Sequence, residues 1–300
     1  MTFDPTQPPL IFGEVLFDLF PAADGTTTRV LGGAPFNVAW HLHAFGQQPL
    51  LISRVGEDAL GDALLAAMRD HAMATHAMQR DPSHPTGTVQ VTLDQGEPSY
   101  EIVAERAYDF IDAAEMPPCP SGALLYHGSL ALRHAASRQA FEHLRQHSAP
   151  ARFVDVNLRD PWWTLDALNA QLAGARWLKL NAAELALLAP SGTTPEQQAQ
   201  ALLAAHHLHT IFVTQGAAGA FALSKDSAPV RVAPTERVSV VDAVGAGDGF
   251  AAVLILGLLR HWPLEQTLSR AQQFAAAIVG QRGATVQNPE FYSNFMSSWG

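Results

Sequence analysis

Short runs of β-branched and aliphatic residues alternate along the chain with longer stretches of helical periodicity. Leu10–Leu19 reads as a strand broken at Gly13, with Asp18 near its end. Thr27–Leu31 returns as a second strand beyond the turn residues Asp24-Gly25. Pro35 stands in the first turn of a helix, where its missing N–H costs little, and that helix runs to about Phe45 and stops at Gly46. Leu50–Val55 is a strand and Asp58–Asp70 a helix. Strands follow at Leu124–His127, Phe153–Val156, Trp177–Leu180 and Thr210–Thr214, with helices between them, Glu196–Ala205 the clearest. Ala217–Leu223 and Pro229–Val232 suggest a hairpin, and two Ala/Leu-rich helices, Gly247–Arg260 and Leu264–Gln281, close the chain. This alternation predicts an α/β fold, a mostly parallel sheet with helices on both faces. Thr88–Leu93 and Tyr100–Val103, around Asp94-Gln95-Gly96, form a hairpin signal that does not fit that sheet. Together with the early strands they are expected to form a small β layer beside it, a lid over about residues 16–31 and 86–110. No repeat or long linker divides the chain, so residues 1–300 are read as one domain.

Composition narrows the functional classes. The chain has 300 residues, 48% hydrophobic and 15% charged, with a net charge of -10. That balance excludes a general nucleic-acid binder, whose footprint is basic. The N-terminus has neither a basic region nor an apolar core, and Phe250–Leu259 is too short to span a bilayer. No membrane association and a cytoplasmic location are expected. The single cysteine, Cys119, fits a reducing compartment. Only two lysines occur, Lys179 and Lys225, and neither is followed by Ser or Thr, so there is no P-loop. His41/His43 and His206/His207/His209 read as scattered histidines rather than a metal site, which would need convergent geometry.

The chemistry concentrates in two segments. Val240-Val241-Asp242-Ala243-Val244-Gly245-Ala246-Gly247-Asp248-Gly249-Phe250 passes from a β-branched run through a Gly-rich turn into an Ala-rich helix. Glycines let successive N–H groups converge, and a helix N-terminus adds its positive end. Gly245, Ala246, Gly247 and Asp248 thus make a candidate anion hole suited to phosphate. A carboxylate at the mouth of that hole would repel phosphate unless it has a role. The role expected for Asp248 is general base toward a hydroxyl that attacks a phosphoryl group. The alternative is a Gly-rich helix start with Asp248 as N-cap. A dinucleotide fingerprint fails, because position 250 is Phe and no βαβ unit follows. Earlier, Gly32-Gly33-Ala34-Pro35-Phe36-Asn37 permits close backbone approach to a ligand, and Asn37 and the isolated Asp18 suit sugar hydroxyls. A helix-surface amide and a turn cap are the alternatives for these two.

Gly32-Gly33-x-x-x-Asn37 followed by Asp242-x-x-Gly245-Ala246-Gly247-Asp248 resembles the ribokinase-like, or phosphofructokinase-B type, carbohydrate kinases. Asn181-Ala182-Ala183-Glu184 resembles that family's Asn-x-x-Glu motif, and Thr214-Gln215-Gly216-Ala217-Ala218-Gly219 its Thr-x-Gly-x-x-Gly segment. The resemblance spans about Leu10 to Ala284, and four motifs in order are far more specific than any one. It implies a Rossmann-like sheet with a β lid, and an ATP-dependent sugar kinase. Gly13-Glu14, Asp18, Gly-Gly-Ala-Pro-x-Asn, Tyr126–Leu130, Asp155–Arg159 and Pro161-Trp162 look most like fructokinases. Three positions depart from the pattern: Phe36 where Ala is frequent, Ala243 where Thr is usual, and Tyr100–Arg106 where the lid arginine is arranged differently.

The resemblance implies roles residue by residue. Asp18, Gly32, Gly33 and Asn37 would hold the sugar, with Tyr100, Arg106, Asn157 and Arg159 nearby. Asn181, Glu184, Thr214, Gly216 and Gly219 would line the nucleotide site. Glu184 would organise magnesium (Mg2+) through water, with no lysine required, and Asp242, Val244 and the loop near Gly283 would offer oxygens to potassium (K+). The other readings are a kinase for ribose or 2-keto-3-deoxygluconate, a nucleoside kinase stacking its base on Phe36 and Tyr100, a non-catalytic sugar or nucleotide sensor, and a dehydrogenase. An exposed β layer leaves edges that favour covering, so a homodimer through the lid is expected.

Overall fold

A computed structural model of the chain describes residues 3–21, 26–94, 97–225, 227–234 and 242–300. Asp24-Gly25, Gln95-Gly96 and Val240-Val241 lie outside them. The central sheet has nine strands: β1 (Leu10–Phe12), β4 (Leu50–Gly56), β5 (Met78–Asp81), β8 (Leu124–His127), β9 (Ala151–Asp155), β10 (Trp177–Asn181), β11 (Thr210–Thr214), β12 (Ala220–Ser224) and β13 (Val230–Val232). Their order is β13-β12-β11-β10-β9-β8-β1-β4-β5. Every pairing from β11 to β5 is parallel, and only β12 and β13 run antiparallel to their neighbours.

Alternation within the strands sorts two cores, because successive side chains leave opposite faces. Ile11, Leu51, Tyr126, Phe153, Trp177 and Phe212 face helices α1 (Ala34–Ala44), α2 (Ala59–Asp70), α7 (Ala246–Leu259), α8 (Leu264–Val279) and α9 (Pro289–Trp299). On the other face, Leu10, Phe12 and Leu125 pack on α3 (Ala135–Ser148). Val154, Leu178 and Ile211 pack on α4 (Leu165–Leu172), α5 (Ala182–Leu188) and α6 (Pro195–Ala205). Helix α7 is apolar around almost its whole circumference, with Phe250 through Leu256 each at most 2% exposed. A helix of that composition is stable only when enclosed.

The second sheet is separate and has four strands: β2 (Leu16–Pro21), β3 (Thr27–Gly32), β6 (Gly87–Asp94) and β7 (Glu97–Ile102), in the order β3-β2-β6-β7. The two expected hairpins are both present as antiparallel pairs, β2 with β3 and β6 with β7. A parallel β2–β6 ladder joins them. Leu16 and Val89 anchor this sheet on Tyr108 and Ala131.

One strand was not foreseen and two expectations are corrected. Met78-Gln79-Arg80-Asp81 forms edge strand β5, although its composition carries no strand signal; the ladder with β4 and the buried Gln79 and Asp81 hold it. The β12–β13 hairpin starts at Ala220, because Gly216–Ala218 form a turn of 3-10 helix. Two helices do not close the chain: α9 follows, capped by Asn288 and seating Tyr292 and Trp299 against Phe45, just after α1, and Tyr292 against Phe274 of α8. No helix among the described residues is long and apolar enough to cross a membrane, and none of their His, Cys, Asp and Glu groups forms a metal-binding cluster.

Asp58 joins the small sheet to the body. As the N-cap of α2 it accepts from the Gly61 N–H at 2.8 Å, and it also takes the Thr86 N–H and hydroxyl at 2.8 and 2.7 Å, just ahead of β6. Asp58→Ala is expected to cost about 2–3 kcal/mol in urea unfolding, since it removes a cap and strands two Thr86 groups. A loss below about 0.5 kcal/mol would show that water replaces these bonds without cost.

Candidate active site

Chain order reverses at β1: β4 and β5 lie on one side of it and β8 to β11 on the other. A parallel sheet opens a crevice at such a point, beyond the carboxyl ends of its strands. The segments carrying the expected chemistry converge there. Beyond β1 the chain turns through Gly13-Glu14-Val15 into β2, which carries Asp18. Gly33, with φ of 104°, caps α1; a Cβ there would sit 2.6 Å from the Glu14 carbonyl oxygen, so two backbones touch at a place only glycine allows.

The loop before α7 is equally constrained. Gly245, at φ 80°, is its N-cap, and a Cβ there would meet Ala284 Cα at 2.4 Å. The Asp242 carboxylate accepts from the Val244 N–H at 3.0 Å and from the Gly283 N–H at 3.1 Å, tying the loops before α7 and after α8 together. His41 is part of this buttress rather than a metal ligand. It is fully buried between the Tyr292 hydroxyl and the Ala284 carbonyl, each 3.0 Å away, and burial pushes its pKa down to about 3.

Asp248 lies in the first turn of α7 but does not cap it. Its Oδ2 accepts a 2.7 Å hydrogen bond from Asn37 Nδ2 on α1, across 211 positions of sequence. That bond removes the N-cap alternative for Asp248 and the surface-amide alternative for Asn37, which is 4% exposed. Asn37 Oδ1 is buried with no protein partner. Burial pushes the Asp248 carboxyl up to about 6; the Asn37 bond opposes the rise, the Asp155 charge adds to it, and Lys179 and Arg159 oppose it. Asp18 sits mid-strand, paired with Val30 and Val89, so it is no turn cap. Its Oδ2 is 3.2 Å from a Cβ built at Gly32. Burial pushes Asp18 up to about 6 against the Arg159 charge, with Asp242 adding to the rise.

The remaining expected residues are placed as follows. Tyr100, on β7, is 49% exposed, and burial raises its hydroxyl pKa, with the Asp18 and Asp242 charges adding to the rise. Arg106 follows the small sheet with its Nε buried and unpartnered. Asn157, at φ 39°, and the exposed Arg159 follow β9. Asn181 and Glu184 form a capping box at α5: Asn181 Oδ1 accepts from the Glu184 N–H at 2.9 Å, and Glu184 accepts from the Asn181 N–H at 2.8 Å. The second Glu184 oxygen accepts from the Leu158 N–H at 2.8 Å, which pins the loop carrying Asn157 and Arg159. Thr214 ends β11, with Gly216 exposed and Gly219 buried just beyond it. Phe36 is not at a pocket edge: it is fully buried beside Trp40, 5.7 Å between ring centres, and offers no stacking face.

Two groups escaped sequence reasoning. Lys179, on β10, bonds both Asp155 oxygens at 2.9 and 2.8 Å beneath the start of α7. The signal was an isolated charge in each of two apolar strands, Trp177–Leu180 and Phe153–Val156, which pair edge to edge. Glu14 is 3% exposed, and its Oε2 has no partner. Burial pushes it up to about 7, with the Asp248 charge adding to the rise and Arg159 and Arg133 opposing it.

A crevice at the reversal of a parallel sheet, a glycine-bounded helix N-terminus and a half-buried carboxylate in its first turn occur together on a fold of the ribokinase-like type. The chain belongs to the pfkB family of carbohydrate kinases, whose family model matches residues 10–290. It is thus a phosphotransferase acting on a sugar hydroxyl. It is 31% identical over 297 residues to a fructokinase of Klebsiella pneumoniae, covering 93% of this chain and 95% of that one. Among solved structures, the fructokinase of Xylella fastidiosa with bound ATP superposes with a TM-score of 0.85 at 23% identity, covering 97% of this chain and 98% of that one. The aminoimidazole riboside kinase of Salmonella enterica, complexed with aminoimidazole riboside and an ATP analogue, gives 0.84 at 23% identity, covering 97% and 99%. Both share the fold.

Glu14 makes a stability prediction. A carboxyl whose pKa is raised on folding contributes stability below its unfolded pKa and loses it as pH climbs through the folded value near 7. Glu14→Gln removes the buried charge, so it should stabilise the protein by about 3 kcal/mol at pH 8 and by little at pH 4. Equal effects at both pH values in thermal unfolding would contradict the assignment.

Proposed function

We propose that the protein is an ATP-dependent fructokinase whose general base is Asp248. The observation carrying this reading is the Asn37–Asp248 bond at the N-terminus of α7. It sets a carboxylate of raised proton affinity beside the amides of Gly245, Ala246 and Gly247, and leaves Asn37 Oδ1 as a spare acceptor for a sugar hydroxyl. Asp18, Gly32, Gly33 and Asn37 hold the sugar, and Tyr100, Arg106, Asn157 and Arg159 border it. The sugar oxygen forms a bond to the γ-phosphorus while the bond to the ADP oxygen breaks, and the hydroxyl proton passes to Asp248. The amides of residues 245–248 face the charge on the transferring group. Asn181, Glu184, Thr214, Gly216 and Gly219 line the nucleotide site.

Magnesium supplies neutralisation of the phosphate charge. Each Glu184 oxygen already accepts a backbone N–H, which suits contact with that ion through water. Asp242, the Val244 carbonyl and the Gly283 loop are joined closely enough to offer potassium an oxygen set. The small sheet acts as a lid on a single domain. Among the described residues its outer strands β3 and β7 each pair on one side only, which supports a homodimer of about twice 32.2 kDa by light scattering. The composition fits a cytoplasmic enzyme.

A riboside kinase is the second reading. It is favoured by the half-exposed Tyr100 ring and the aminoimidazole riboside kinase neighbour, and weakened by the burial of Phe36. ADP release from Mg-ATP across fructose, ribose, 2-keto-3-deoxygluconate, glucose, adenosine and aminoimidazole riboside decides between them. Fructose should give the highest kcat/KM, and preference for a riboside would replace the fructokinase reading.

With the preferred sugar, Asp248→Asn should lower kcat by about 10²–10⁴ while cooperative unfolding is retained. In the wild type, kcat/KM should fall as pH drops below about 6, where Asp248 becomes protonated and can no longer accept a proton. Retained activity in Asp248→Asn would end the base assignment. Asp18→Ala should raise KM for the sugar at least about tenfold more than KM for ATP, a loss of the size expected for a charged hydrogen bond. Equal rises would make Asp18 structural.

A further inference from the structure

Lys179 is 6% exposed, and its ammonium is held by both oxygens of the buried Asp155, which also accepts from the Tyr126 hydroxyl at 3.3 Å. Such a pair is weakly justified by stability alone, because the cost of stripping water from two charges rivals their attraction, and two apolar side chains would pack as well. Its position points elsewhere. Tyr126, Phe153 and Trp177 leave the sheet toward α7, and Asp155 and Lys179, each two residues beyond one of them, leave on the same face. They lie under the helix N-terminus.

A methyl group built at Gly247 would meet Lys179 Nζ at 3.4 Å, the nearest contact from outside its own turn of helix. Gly247 is itself exposed. The open space in front of the second residue of α7, where the helix amides converge, is therefore bordered by one full positive charge. Asp155 engages two of the three N–H groups of that ammonium.

We propose that Lys179 is a catalytic residue, donating its third N–H to a non-bridging oxygen of the phosphoryl group seated on the amides of Gly245 to Asp248. The inference rests on the kinase reading above. Lys179 stays protonated through the step: the P–O bond to the sugar forms, the bond to ADP breaks, and Asp248 keeps the proton. The ammonium offsets charge on the equatorial oxygens, as the lysine of a P-loop does in a fold that this chain lacks. Asp155 is a positioning residue, fixing the ammonium against Gly247.

The presence of only two lysines makes the test direct. Protein labelled with ¹³C,¹⁵N-lysine has two side-chain signals, and the exposed Lys225 serves as the reference. Mg-ADP with aluminium fluoride mimics the transferring phosphoryl group and needs no sugar. It should shift the Lys179 signal, whereas Mg-ADP alone leaves it in place. An unmoved Lys179 signal at saturation overturns the proposal. Failure of Mg-ADP to bind at all would instead sink the kinase reading, and the proposal with it. A variant pair adds a kinetic readout. Lys179→Met/Asp155→Asn removes both charges and should lower kcat about 10²–10³-fold with KM for the sugar within about threefold; Asp155→Asn alone keeps the ammonium and should stay within about tenfold of wild type. A merely structural pair would leave the double variant with native kcat, which also overturns the proposal.

Discussion

Helix α7 has almost no polar face, so it can exist only enclosed between the central sheet and its helical neighbours. Enclosing it carries its N-terminus to the carboxyl edge of the parallel strands. The glycines at both ends of the site follow from that enclosure. Gly245 lets the loop pass against Ala284, and Gly33 lets the first helix start against the Glu14 carbonyl. With those backbones in contact, Asn37 and Asp248 are brought within a hydrogen bond of each other. The Asn37–Asp248 pairing is thus a by-product of burying one apolar helix.

The electrostatics of the crevice oppose its own chemistry and are balanced locally. Glu14, Asp18 and Asp248 are all pushed upward by burial, in a chain with a net charge of -10. Arg159 opposes the rise at each of the three, and Lys179 does so at Asp248. On the proposed reading, the phosphate charges would be met by backbone amides and a few placed cations rather than by overall charge. The same burial raises the proton affinity of Asp248 toward the neutral range, which suits the general-base role proposed for it.

Much of this was legible along the chain. Strand and helix alternation announced the layered sheet, the two hairpins that did not fit announced a second sheet, and the Gly-rich turn announced the start of an apolar helix. Lys179 and Asp155 left only the faint signal of a lone charge in an apolar strand, and other features left none. Met78–Asp81 lacks strand-forming residues and is held by pairing with β4. Phe36, beside the sugar motif in sequence, turns into the core because the first turn of α1 packs there. Gly13-Glu14 belongs to the resemblance to fructokinases, but nothing along the chain shows the burial of Glu14, which comes from the approach of Gly33 and the neighbouring elements.

Periodicity and backbone-permissive residues act over a few positions, so the sequence by itself determined the elements, the fold class and the chemical types present at each motif. Pairings between distant segments depend on the whole packing arrangement. Only the tertiary structure decided that Asn37 meets Asp248, that Asp155 holds Lys179 beneath Gly247, and that Asp242 bridges two loops. The physical reason is range: a hydrogen bond between residues 211 positions apart is formed by the core that folds around it, not by the residues beside it in the chain.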